Sequence, residues 1–110
     1  MPTEIVIAQT TVDDVDMAIA LARGAVESRL AAGTHIDGPF IATYRWRGGI
    51  QTEQEWRISY KTTVERLPAL QAWVHQHHRY EAPEWITLPV TGGSSAYLSW
   101  VTEETTPDSV

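Results

Sequence analysis

Between Phe40 and Thr63 the chain alternates. Phe40, Ala42, Tyr44 and Trp46 interleave with Ile41, Thr43 and Arg45, and after Arg47-Gly48-Gly49 the residues Trp56, Ile58, Tyr60 and Thr62 interleave with Glu55, Arg57, Ser59 and Lys61. Period-two runs on either side of turn residues predict a long β-hairpin. Its second strand sets Glu55, Arg57 and Lys61 in one row, which must meet water or a polar partner surface. Upstream, Glu4–Thr10 carries Ile5, Val6, Ile7 and Ala8, apolar on both faces, as an interior strand does. Thr11-Val12-Asp13-Asp14 then offers a Thr N-cap, with Asp13, Asp14 and Asp16 where a helix N-terminus favours negative charge. Val15, Ile19, Ala22, Val26 and Leu30 follow at helical spacing, predicting one buried stripe and an end near Gly33.

Thr34–Ile36 restarts extended structure, and Asp37-Gly38-Pro39 predicts a bend or bulge before the hairpin. After Thr63 a second helix is predicted on Leu67, Leu70 and Val74, with Pro68 in the first turn and His75-Gln76-His77-His78 at its end, the stop reinforced by Pro83. Glu84–Val90 reads as a fourth strand that Pro89 limits to an edge or to its own terminus. Gly92-Gly93 breaks the chain, Ser94–Glu104 reads as a short third helix anchored by Leu98 and Val101, and Thr105–Val110 as a frayed tail. The order βαββαβ with right-handed crossovers gives an α+β, ferredoxin-like antiparallel sheet, with both main helices on one face and a short C-terminal helix added. All 110 residues form one domain. The second sheet face is left bare, so it must be polar or buried by another copy of the chain.

Composition narrows the function. The chain has no cysteine, which removes disulfides and thiol chemistry, and neither a secretory leader nor a membrane-spanning run is apparent, so a soluble, cytoplasmic protein is expected. The net charge is -6 and the eight basic residues are scattered, which argues against nucleic acid as a partner. No HExxH, GxSxG or phosphate-loop pattern occurs, and no nucleophile–base pair supports an enzyme. His75, His77 and His78 near Glu81 and Glu84 suit a weak zinc or copper site; the plainer reading is that they cap the helix C-terminus. Lys61 is the only lysine, and with Glu55 and Arg57 could form an acid, base and anion clamp or, more ordinarily, a charge-paired sheet face or subunit contact. The aromatic residues, Tyr44 and Trp46 among them, could stack a flat ligand, although core and interface packing is their commoner use.

Tyr44-x-Trp46-x-Gly48, Glu55, Lys61-Thr62, His77-His78-x-Tyr80-x-x-Pro83-Glu84, Leu88-Pro89-Val90 and Tyr97-Leu98-x-Trp100 together resemble the CutA family of divalent-cation tolerance proteins. The resemblance implies a homotrimer whose sheets face the threefold axis and whose long hairpin reaches a neighbour's sheet edge. It also implies clefts between subunits, where Tyr44, Trp46, Glu55 and Lys61 are the expected small-molecule residues. It further implies a metal site at His77 and His78, with Glu81 and Glu84 completing the ligands. Two departures weaken copper binding, because Gln9 stands where copper-associated members have Cys and Arg79 replaces a Pro. A PII-like sensor with ligands between subunits and a small ferredoxin-like enzyme remain as alternatives.

Overall fold

The computed structural model describes residues 3–107. The elements run β1 (Ile5–Val12), α1 (Val15–Glu27), β2 (Gly33–Trp46), β3 (Gly49–Thr63), α2 (Leu67–His77), β4 (Ile86–Pro89) and α3 (Ser95–Glu104). The four strands form one antiparallel sheet in the order β2-β3-β1-β4, which is the ferredoxin-like arrangement and puts β1 in the interior and β4 at an edge. Among the described residues no helix is long and apolar enough to cross a membrane.

Pairing of β1 with β3 sets the two faces. Ala8 lies opposite Tyr60, Thr10 opposite Ile58 and Val12 opposite Trp56. Ala8, Val12, Ile58 and Tyr60 are buried with Leu21 of α1 and with Leu70 and Val74 of α2. On the other face Ile7 opposes Lys61, Gln9 opposes Ser59 and Thr11 opposes Arg57. α3 covers one corner of that face: Val101 is buried with Ile5 and Ala32, and the Trp100 ring lies 3.3 Å from where a Cβ on Gly33 would sit. Beyond that corner no helix among the described residues covers the second face.

Helix α1 differs from the expected one in cap, face and end. Asp14, not Thr11, is the N-cap: its carboxylate accepts hydrogen bonds from the Asp16 and Met17 amides, while Thr11 belongs to β1. The buried face is Ala18, Leu21, Ala22 and Ala25; Val15, Ile19 and Val26, assigned to the core by periodicity, are exposed. Alanines let the helix lie close to the sheet, and the Trp73 ring of α2 fills the notch at Gly24. The helix stops at Glu27 rather than near Gly33, with Arg29 in the left-handed region at φ 58°. Thr105, expected to fray, is buried and donates its hydroxyl hydrogen to the Val101 carbonyl, and residues 108–110 of the expected tail lie outside the described residues.

The hairpin turn is Arg47-Gly48, both with positive φ, which suits the type I′ turn that matches strand twist; Gly49 already pairs with Trp46. The predicted irregularity is a register shift between Asp37 and Phe40, and Gly38 there has φ 137°. A Cβ at Gly38 would lie 2.9 Å from the Glu55 carbonyl oxygen, so glycine is required. β1 pairs with β3 only from Trp56 to Thr63. The remaining hairpin, Phe40–Trp46 against Gly49–Glu55, therefore projects as a two-stranded arm, with Ile41 70% and Ile50 65% exposed.

The displaced face of α1 gives a direct check. Leu21→Ala, at a residue 1% exposed, is expected to lower unfolding free energy by about 2–5 kcal/mol. Ile19→Ala, at one 51% exposed, should cost well under about 1 kcal/mol. Denaturant melts that rank the two the other way would restore the periodicity reading.

Candidate functional site

The segment that follows α2 folds back against the hairpin arm and makes a cleft with it. His78, the C-cap of α2, is buried, and its ring meets backbone at both nitrogens. The Tyr80 amide donates to Nδ1 at 3.1 Å, so Nε2 carries the hydrogen and donates to the Thr11 carbonyl at 3.0 Å. Arg79 pairs with Asp14 at 2.8 Å, the Tyr80 hydroxyl donates to Glu55 Oε2 at 3.2 Å, and Arg47 at the hairpin tip meets Glu81 at 3.3 Å. These contacts hold residues 78–81 between the end of β1 and the arm.

The resulting cleft has a volume of about 860 Å³. Phe40, Tyr44, Trp46 and Tyr80 supply rings, and Asp13, Glu53, Glu55, Glu81 and Glu84 supply carboxylates against the single guanidinium of Arg57. That excess of negative charge shows in the titrating groups. Burial holds the Glu55 carboxyl above the usual carboxylate range, partly offset by the Tyr80 hydrogen bond and reinforced by Glu53, Glu84 and Asp13. Tyr44 is pushed up to about 12, first by its hydrogen bond to Glu53. Tyr80 is raised by burial and then by Asp13 and Glu55.

Of the four residues expected in a small-molecule cleft, Tyr44, Trp46 and Glu55 line this one, but Lys61 does not. Lys61 lies farther along β3 on the uncovered face, with its Nζ 2.7 Å from His35 Nδ1, and partial burial lowers its pKa. The row of Glu55, Arg57 and Lys61 is thus divided: Glu55 contacts Tyr80, the Arg57 guanidinium lies 4.8 Å from the Phe40 ring centroid, and Lys61 meets His35.

The four expected metal ligands are not brought together within one chain. His78 has no free lone pair, because one ring nitrogen accepts from Tyr80 and the other is protonated toward Thr11. His77 stacks on Trp73 at 4.5 Å and directs Nδ1 to the Trp73 carbonyl at 2.8 Å, leaving Nε2 as its free acceptor. Glu81 is engaged by Arg47, Glu84 lines the cleft, and among the described residues no three His, Asp or Glu side chains are placed to hold a metal ion. Gln9, in the position of the expected Cys, donates to Ser59 Oγ at 3.1 Å. Glu53 and Asp13 are cleft carboxylates that sequence reasoning passed over, whereas Tyr80 was marked by the family motif but not by any periodicity. Glu53 sits in the same alternating row as Glu55 and could have been found there.

A ferredoxin-like domain with one largely uncovered sheet face, a projecting arm and an acidic aromatic cleft defines the class. The sequence profile of the CutA1 divalent ion tolerance protein matches residues 6–104, and the chain belongs to that family. It is 37% identical over 95 residues to the divalent-cation tolerance protein CutA of Thermus thermophilus, covering 86% of this chain and 92% of that one. Against the CutA protein of Homo sapiens identity is 35% over 105 residues, and the match spans 96% of this chain but 59% of the longer human one. Among solved structures, CutA from Xylella fastidiosa superimposes with a TM-score of 0.92 at 31% identity, covering 94% of this chain and all 100% of its own. CutA from Synechococcus elongatus gives 0.90 at 39%, covering 96% and 95%.

His78→Ala is expected to cost about 2 kcal/mol, since it strips a partner from a buried carbonyl and an amide. Burial holds the His78 pKa below the ordinary imidazole value, so the unfolded chain takes up the proton first. The parent should have its full His78 contribution above about pH 6.5 and lose it as pH falls toward the folded-state value. Denaturation midpoints across that range check this, because the His78→Ala variant should lack that part of the slope.

Proposed function

We propose that this chain acts as a homotrimer in the response to divalent metal ions, as a binding and assembly protein and not as an enzyme. The observation that carries the assembly is the pair of unsatisfied surfaces among the described residues: a sheet face covered only at one corner, and an arm whose outer strand edge has no strand partner. Family membership supports the metal-ion role. The scattered chemistry supports the non-enzymatic reading, since Lys61, Arg57 and Glu55 each have separate contacts instead of converging on one point. A PII-like sensor of a phosphate-bearing effector fits less well, because five carboxylates line the cleft against one guanidinium.

The sedimentation mass at micromolar concentration is expected to equal three subunits, and a stable single-subunit mass would refute the assembly. For metal, the reading is one weak contact per subunit through His77 Nε2, completed by water or by groups of a neighbouring subunit. Calorimetric titration with copper and zinc should therefore lose its heat in His77→Ala while the melting temperature stays close to the parent's. Loss of metal heat in His78→Ala alone, with His77→Ala unaffected, would reverse the assignment.

A further inference from the structure

The uncovered sheet face is not uniformly suited to burial. Its outer parts are apolar: Ile86 and Leu88 on β4 are exposed, and the exposed Trp100 of α3 lies over Gly33. Its middle holds two basic side chains in contact, with the Lys61 Nζ 2.7 Å from His35 Nδ1. Register places both on this face, since Lys61 opposes Ile7 on one side and Gly33 on the other, and His35 opposes Ser59. With Lys61 as the ammonium, its N–H donates, Nδ1 is the bare acceptor and the ring hydrogen is on Nε2. The line between the two nitrogens has room for one hydrogen.

We propose, resting on the homotrimer reading, that this pair makes assembly through the uncovered face sensitive to acid, because His35 must stay neutral for the face to be buried. A proton on Nδ1 takes away the acceptor and sets two cations at hydrogen-bond distance. In a subunit facing water the two side chains can swing apart and be solvated; under a neighbouring copy they cannot, and like charges deprived of water cost most. The surroundings offer little relief. β1 brings Ile7, Gln9 and Thr11 to this face, and the Gln9 amide is already given to Ser59. β4 brings Ile86 and Leu88, and α3 the Trp100 ring. β2 brings one carboxylate, Asp37, and β3 sets Arg57 directly opposite it, so that acid already faces a cation. Burial within the chain holds the Lys61 pKa down, with Asp37 opposing, and further burial under a neighbour acts in the same sense, so both members of the pair favour assembly with fewer protons. A proton bound by the free subunit and excluded from the assembled one draws the equilibrium toward free subunits as pH falls. Three subunits each shed one, so the association constant falls by up to about a thousandfold for each pH unit over which His35 is protonated in the free chain.

The test follows the sedimentation mass of the full chain at low micromolar concentration between about pH 8 and about pH 5. Three proteins are compared: the parent; His35→Gln, whose side-chain oxygen can still accept from Lys61 but takes up no proton; and Lys61→Met, which leaves His35 no cation to meet. The parent is expected to be trimeric at the upper pH and at least about tenfold weaker in association at the lower, with each variant changing less than about threefold. His78 is present in all three, so its effect on subunit stability cancels from the comparison. If the subunits unfold as they part, the same comparison is read in denaturation midpoints, the parent losing more between the two pH values than His35→Gln. A parent trimer equally tight at both pH values overturns the proposal and leaves the assembly reading standing, as does a His35→Gln variant that comes apart in acid just as the parent does. A parent that sediments as a single subunit at the upper pH overturns the assembly reading, and the acid switch with it.

Discussion

The antiparallel ladder between β1 and β3 is the interaction on which the rest of this structure depends. Eight consecutive pairs, from Ile5–Thr63 to Val12–Trp56, decide which residues of both strands go under the helices and which go to the uncovered face. A slip of one residue would exchange Ala8, Ile58 and Tyr60 for Gln9, Ser59 and Lys61, so the register is enforced by burial as much as by hydrogen bonds. Because β3 has 15 residues and β1 only 8, the ladder runs out at Trp56. The arm and its cleft exist because the longer strand continues past its partner.

The end of that ladder is also where the post-α2 segment is fixed. Thr11, one residue before the end of β1, gives its carbonyl to His78, and Asp14, two residues past that end, gives its carboxylate to Arg79. A histidine buried in this way is a structural strut whose neutral form is required, which is why its burial and its tautomer agree. The neighbouring His77 shares the sequence signal and none of the constraint: it is exposed, and among the described residues nothing hydrogen-bonds its Nε2. Adjacent residues of one type have thus acquired unrelated roles from a helix end that turns one inward and leaves the other outside.

What could be read from the sequence follows from which interactions are local. Alternation revealed the hairpin, because a strand pair with a two-residue turn encodes its own register. The edge position of β4 was legible from Pro89, and the bulge from Asp37-Gly38-Pro39. The face of α1 was misread because apolar weight points to Val15, Ile19 and Val26, whereas the sheet admits only small side chains at close range and selects Ala18, Ala22 and Ala25. Nothing local marks the contact of His78 with Thr11, which spans 67 residues, or the meeting of Tyr80 with Glu55. The sequence showed Glu55, Arg57 and Lys61 as one row; it could not show that the register shift and the change of partner strand beyond Trp56 give each a separate neighbourhood.

Membership in a divalent-ion tolerance family raises the question of where a cation would be received, and the geometry orders the answers. Imidazole sites select transition metals, but His78 has spent both nitrogens and the Gln9 amide is tied to Ser59 across the β1–β3 pair, so neither contributes a ligand without first breaking a structural hydrogen bond. Besides the exposed His77, carboxylates remain, and five of them border one cleft. Their negative field draws in any cation, yet retention depends on coordination geometry, and tyrosine hydroxyls already occupy one oxygen each on Glu53 and Glu55. A hard ion that loses water gains too few fixed oxygens in return. The cleft can therefore attract a cation by its charge without offering a hard ion a coordination sphere to replace its water.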